Sequence, residues 1–107
     1  MDISNIEIVN EKPVPADLRA VIHIFSADDE LKGKALPHVD LKRHEVNWYS
    51  IGKNDFGSGH SAAIMWAKSI WTASQPENSD LFERSSSMDL TVRKSVIGAL
   101  AIAWGLD

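Results

Sequence analysis

Apolar residues recur along the chain at two periods, and the period decides each expected element. In "ISNIEIV", residues 3 to 9, Ile6 and Ile8 alternate with Glu7 and Val9, the two-residue period of a short strand. "NEKPVP" then interrupts the chain with Pro13 and Pro15. Beyond Pro15 the spacing lengthens: Leu18, Val21, Ile22 and Phe25 fall at i, i+3, i+4 and i+7, one face of a helix. Proline in the first turn sacrifices no hydrogen bond, so a helix is expected over residues 15 to 25. A strand is its rival, because "VIHIF" is rich in β-branched residues. In "SADDELKG", Ser26 as N-cap, early acids and Gly33 as a stop describe a second, short helix.

"KALPHVD" is expected to be a turn or irregular link. Asp40 is placed to cap a helix over "LKRHEVNWYS", with Leu41, Glu45 and Trp48 on one face and Val46 and Tyr49 on another. Strand-like alternation in "EVNWYSI" competes with it. "GKNDFGSG" is a loop by composition. Residues 60 to 74 carry the clearest helical pattern, stopped by "QPENS", where Pro76 cannot continue the ladder. "DLFERSSS" is expected to hold one helical turn. The last helix runs from Asp89 to Trp104, with Val92, Val96, Ile97, Leu100 and Trp104 at helical spacing and Gly105 as its stop. The expected fold is mainly α, a single small domain of four to five packed helices with a possible short N-terminal strand. The alternative is α+β, with a small antiparallel sheet in the N-terminal half.

The stretch "DFGSGHSAAIMWAKSIW", residues 55 to 71, holds the candidate chemistry. Its helix has Ala63, Trp66, Ala67 and Ile70 in one stripe and Ile64 and Trp71 in a second. A helix apolar round most of its circumference is central in its domain, so the tryptophans read as core. Ser58 is placed to cap this helix, and Gly57 and Gly59 let the chain turn. His60 near the positive end of the helix dipole is expected to have a lowered pKa. The competing reading is an anion or ligand loop formed by Gly57, Ser58, Gly59 and His60 at the helix N-terminus. It lacks the lysine and spacing of a nucleotide loop. A pocket lined by indole faces and free helix N–H groups would favour that ligand reading, and a flat or convex patch would favour protein interaction.

Catalytic arrangements fit poorly. The nucleophile-elbow pattern G-x-S-x-G is absent, and "DFG" is a coincidence in a chain too short for a protein kinase. Ser58, His60 and Asp55 on one tight loop cannot face one another in relay order. His38, His44 and His60 lack the spacing of a metal motif. No catalytic, cofactor or metal site is therefore expected.

Composition narrows the partners. With 107 residues, 44% hydrophobic and 24% charged, the chain suits one globular domain. Four tryptophans, each able to bury about 150–250 Å², are expected to organise its core. The absence of cysteine removes disulfides and zinc–thiolate sites and suits the cytoplasm. A net charge of −4 argues against nucleic acid and anionic membranes, and "KRH" at residues 42 to 44 is an isolated solvated face. No apolar run is long enough to span a membrane, and no basic leader opens the chain.

Trp48, the glycine–serine loop, "WAKSIW", "MDL" and "VIGALAIAWG" follow one another over residues 48 to 105. That order resembles an uncharacterised family of small, mostly helical bacterial and phage-type proteins, although His60 stands where the pattern often has an acid. The resemblance implies a helical fold and carries no activity and no functional residue. The expected function is a non-enzymatic protein-interaction module with a protein partner, such as a small inhibitor or accessory protein. The alternative is a small-ligand or anion-binding domain using Gly57, Ser58, Gly59 and His60.

Overall fold

The structure is a computed structural model that describes residues 13–74 and 80–107. The strand expected at residues 3 to 9 lies outside the described residues, as does Pro76.

Helix α1 (Ala16–Phe25) starts after an extended Pro15 and buries Leu18, Ala20, Val21, Ile24 and Phe25. The strand alternative for this segment is thereby excluded. Ser26 does not begin the next helix. Its hydroxyl donates to the Ile22 carbonyl at 2.7 Å, closing α1 instead. The cap of α2 (Asp29–Lys34) is Asp28, whose Oδ1 accepts from the Leu31 N–H at 3.0 Å. Gly33 lies inside α2 and does not stop it.

The helix expected over residues 41 to 50 is replaced by a hairpin and a short helix. A 3₁₀ turn (Leu36–His38) leads into β1 (Val39–Asp40), which pairs antiparallel with β2 (Glu45–Val46), Val39 opposite Val46. Asp40 does cap, but its Oδ1 accepts from the N–H groups of Lys42 and Arg43 at 2.9 and 3.0 Å and closes a turn. His44 then takes the left-handed conformation, φ 56°, which no helix continues through. Asn47 caps the short α3 (Trp48–Gly52).

Helix α4 (Ser58–Thr72) begins two residues earlier than expected and ends before Pro76 is reached. Ala73, left-handed at φ 53°, stops it, and the Ser74 N–H returns to the Ser69 carbonyl, satisfying a free carbonyl of the last turn. A one-turn α5 (Leu81–Arg84) and a 3₁₀ turn (Ser85–Ser87) lead to α6 (Leu90–Ala103). As expected, Asp89 caps α6, its Oδ1 accepting from the Val92 N–H at 2.9 Å, and Gly105, at φ 71°, terminates it. Asp89→Ala should therefore cost about 0.5–2 kcal/mol in urea denaturation. A neutral result would mean that the bond adds nothing to α6.

Among the described residues the fold is mainly α with one small antiparallel sheet. Helix α1 packs between α6 and α4, and its buried face meets Ala62, Ala63 and Ala67 of α4 and Val92, Val96 and Ala99 of α6. The largest fully buried side chains are Phe25, Leu18, Ile24, Leu31 and Ile51. No tryptophan is among them, which corrects the expected tryptophan core. Trp48 meets Phe25 edge-on, ring centres 5.9 Å apart, while Trp66 and Trp71 are half-buried. Trp104 and Ile97, expected on the core face of the last helix, are both 68% exposed. The reason is steric. Alanines let the helix backbones approach closely, and the large rings are displaced to the rims. Among the described residues, no helix is long and apolar enough to cross a membrane.

Candidate functional site

The loop residues singled out from sequence sit at the start of α4, with roles different from those expected. Gly57 is the N-cap, and no side chain caps the helix. Ser58 is the first helical residue and is exposed, so it does not supply the expected cap. Gly59 packs where a β-carbon would lie 2.6 Å from the Ser87 carbonyl oxygen, so α4 abuts the 3₁₀ turn through bare backbone.

His60 is the chemically distinctive residue. Its Nε2 lies 2.6 Å from Asp28 Oδ2, and its Nδ1 lies 2.9 Å from Glu30 Oε2. Nε2 is hydrogen-bonded to Asp28 and the Glu30 carboxylate lies beside Nδ1, an arrangement that favours the imidazolium form. Partial burial favours the neutral ring. The hydrogen bond and charge of Asp28, followed by the charges of Glu30 and Asp89, outweigh that, and the His60 pKa is raised. The expected lowering by the helix dipole is overturned: three carboxylates nearby exceed the partial charge of one helix end. Asp28 responds in the opposite sense. Burial pushes its carboxyl up, but the Leu31 N–H and the His60 hydrogen bond and charge outweigh burial, and its pKa is lowered.

This geometry clamps the start of α4 to the start of α2. Asp28 takes up Nε2 and the Glu30 carboxylate stands beside Nδ1, so the ring is held between two acids. Ser61 donates weakly to the Phe56 carbonyl at 3.4 Å, and Ser58 faces solvent. Asp55 uses its backbone carbonyl, which accepts from Lys34 Nζ at 2.8 Å. Among the described residues, no three His, Asp or Glu side chains come together as metal ligands. Sequence reasoning missed Asp28 and Glu30 as partners of His60. The only local signal was an acid-rich helix start some thirty residues away.

The larger feature lies at the other end of α4. An open groove of about 870 Å³ runs between the last turns of α4, α5 and the last turns of α6. Trp66, Ile70, Trp71, Phe82, Leu100 and Trp104 supply apolar lining, and Asp17 is the charged residue on its wall among the described residues. Trp66 is fixed by donation from Nε1 to Ser85 Oγ at 2.6 Å, and Ser85 donates in turn to the Leu81 carbonyl at 2.7 Å. Phe82, 86% exposed, stands over the groove. The Ser69 hydroxyl in the lining is buried without a hydrogen-bond partner. The indoles therefore do line a concavity, but at the opposite end of α4 from the glycine loop and its N–H groups. Phe82 escaped notice because a one-turn helix has too few residues to show a period.

No protein-family model, no curated protein and no solved structure has significant similarity to this chain.

Proposed function

We propose that the protein is a non-enzymatic interaction module, and that the groove between α4, α5 and α6 receives an apolar helix of a protein partner. The observation that carries this reading is Phe82, an aromatic ring left almost fully in water beside three indoles. A contiguous exposed apolar surface marks an interaction site, and tryptophan-rich pockets are where binding energy concentrates. An amphipathic helix fits such a groove with side chains at i, i+3, i+4 and i+7. Asp17 on the wall and the net charge of −4 favour a partner helix with lysine or arginine beside its apolar face.

The alternative, an anion or small-ligand site at Gly57, Ser58, Gly59 and His60, has less support. Asp28, Glu30 and Asp89 surround that helix start with negative charge, which opposes an anion.

A synthetic helix of about 18 residues, with leucine at the four anchor positions and flanking lysines, provides the test. Titration followed by tryptophan fluorescence should saturate with a dissociation constant on the order of 1–100 μM. Phe82→Glu should weaken binding by about tenfold or more, with an unchanged circular dichroism spectrum because the ring is outside the core. Absence of saturable binding, or equal binding by Phe82→Glu, would sink the reading.

A further inference from the structure

The 3₁₀ turn Ser85–Ser87 is a junction at which each serine is held by a different contact. The Ser87 carbonyl lies against Gly59 at the start of α4, and the Ser86 carbonyl accepts from Arg93 Nη2 of α6 at 2.8 Å. Ser85 faces the groove. Its hydroxyl accepts from Trp66 Nε1 of α4 at 2.6 Å and donates to the Leu81 carbonyl of α5 at 2.7 Å. Resting on the groove reading, we infer that Ser85 is the positioning residue of that groove. It holds α5 against Trp66, and thereby holds Phe82 over the surface that a partner helix meets.

Helix α5 has little of its own to keep it there. It has four residues, and no side chain caps its start. So short a helix is unstable in water without outside contacts. Its ion pair, Arg84 Nε to Asp80 Oδ2 at 2.9 Å, is local and ties the turn only to itself. Leu81 is buried, but Phe82 is 86% exposed, so its place follows from the backbone of α5 rather than from packing of its ring. The link from that backbone to the groove floor is the Ser85 hydroxyl. A hydroxyl that accepts and donates at once polarises both bonds, so indole, hydroxyl and carbonyl act as one chain. That chain sets the plane of the Trp66 ring and the spacing of α5 from α4 together. Ser86 cannot replace it, because its hydroxyl is committed to the Glu83 carbonyl at 2.8 Å. A serine that merely satisfied an indole N–H would leave Phe82 indifferent to its loss.

The free chain supplies the first test. In two-dimensional amide NMR spectra, Trp66→Phe identifies the Trp66 indole signal by its disappearance. In Ser85→Ala that signal should shift, and its hydrogen should exchange about fivefold faster or more. The Arg84 amide, which donates to the Asp80 carbonyl to close α5, should exchange faster by a similar factor while α1 amides keep their rates. Trp66→Phe cuts the chain from the other side and should free the Arg84 amide equally, a second route should Ser85→Ala not fold. Binding of the leucine–lysine helix is the second test. Ser85→Ala should weaken it about fivefold or more, and Ser85→Thr, which keeps the hydroxyl, should bring it back to within about twofold. In a Phe82→Ala background, Ser85→Ala should change affinity by less than about twofold, because the ring it positions is gone. Additive losses in that double variant overturn the inference. So does undiminished binding by Ser85→Ala, or an indole or Arg84 signal that the substitution does not move. If the wild-type chain does not bind the helix, the groove reading falls alone, and the indole and Arg84 signals decide whether Ser85 holds α5.

Discussion

Gly59→Ala should destabilise the protein by about 1–3 kcal/mol, whereas Gly98→Ala should be neutral or stabilising by up to about 1 kcal/mol. Both glycines lie in helices, and helix propensity alone would make both substitutions favourable. The difference is in what a new methyl group meets. At Gly59 it would lie 2.6 Å from the Ser87 carbonyl oxygen and 3.2 Å from the Met88 Cα. That backbone leads directly into buried Met88 and the Asp89 cap of α6, so it cannot withdraw without disturbing the start of that helix. At Gly98 the nearest atom is the Nε2 of His23, also at 2.6 Å, but it is the tip of an exposed side chain that can rotate away. Urea denaturation of the two variants side by side checks the contrast. Equal effects would mean that α4 does not lie against the 3₁₀ turn as described.

The Asp28–His60–Glu30 cluster should make stability fall as the solution becomes alkaline. The folded pKa of His60 is raised above its ordinary 6.5. Below about 6.5 the ring is protonated in both folded and unfolded chains, and the stabilisation is fully present. As pH rises through the folded pKa the folded ring loses its proton, and the contribution disappears. Asp28 works from the acid side. Its pKa is lowered from 3.8, so its contribution is present above that value and lost as pH falls through the folded pKa. The cluster thus stabilises most between about pH 4 and pH 6.5. His60→Ala should cost about 1–2 kcal/mol in that window, allowing for the partly exposed edge of the pair. Unfolding free energies at about pH 6 and pH 9 provide the check. Wild type should be less stable at the higher pH, with most of the difference absent in His60→Ala. A rise in stability toward alkaline pH would restore the lowered pKa expected from the helix dipole.

The periodic elements were legible in the sequence and the long-range ones were not. Of the expected face Leu18, Val21, Ile22 and Phe25, three are buried in α1 while Ile22 is half-buried, and Ile24, outside that face, is buried instead. With Ala20, Ile22 and Ile24 between the buried three, spacing marked the helix but only approximately its buried side. Asp89 was legible as a cap for the same kind of local reason. Helix α6 was located correctly but not oriented. Its apolar residues encircle the axis, so spacing could not tell buried Val92 and Val96 from exposed Ile97. Around Asp40 the capping chemistry was read correctly and its product was not: the same carboxylate–amide bonds that open a helix also close a turn. His60 drew attention through its glycine neighbours, yet its behaviour depends on Asp28 and Glu30, which only the packing of α2 against the start of α4 brings near.

The buried face of α4 is built from Ala62, Ala63 and Ala67. Single methyl groups make shallow ridges, and shallow ridges offer little resistance to one helix sliding along another. The axial position of α4 is therefore set by fasteners away from that face. At one end the His60 ion pairs and the Gly59 contact hold it, and midway the Trp66–Ser85 hydrogen bond does. Deprotonation of His60 releases one fastener while leaving the greasy contact intact.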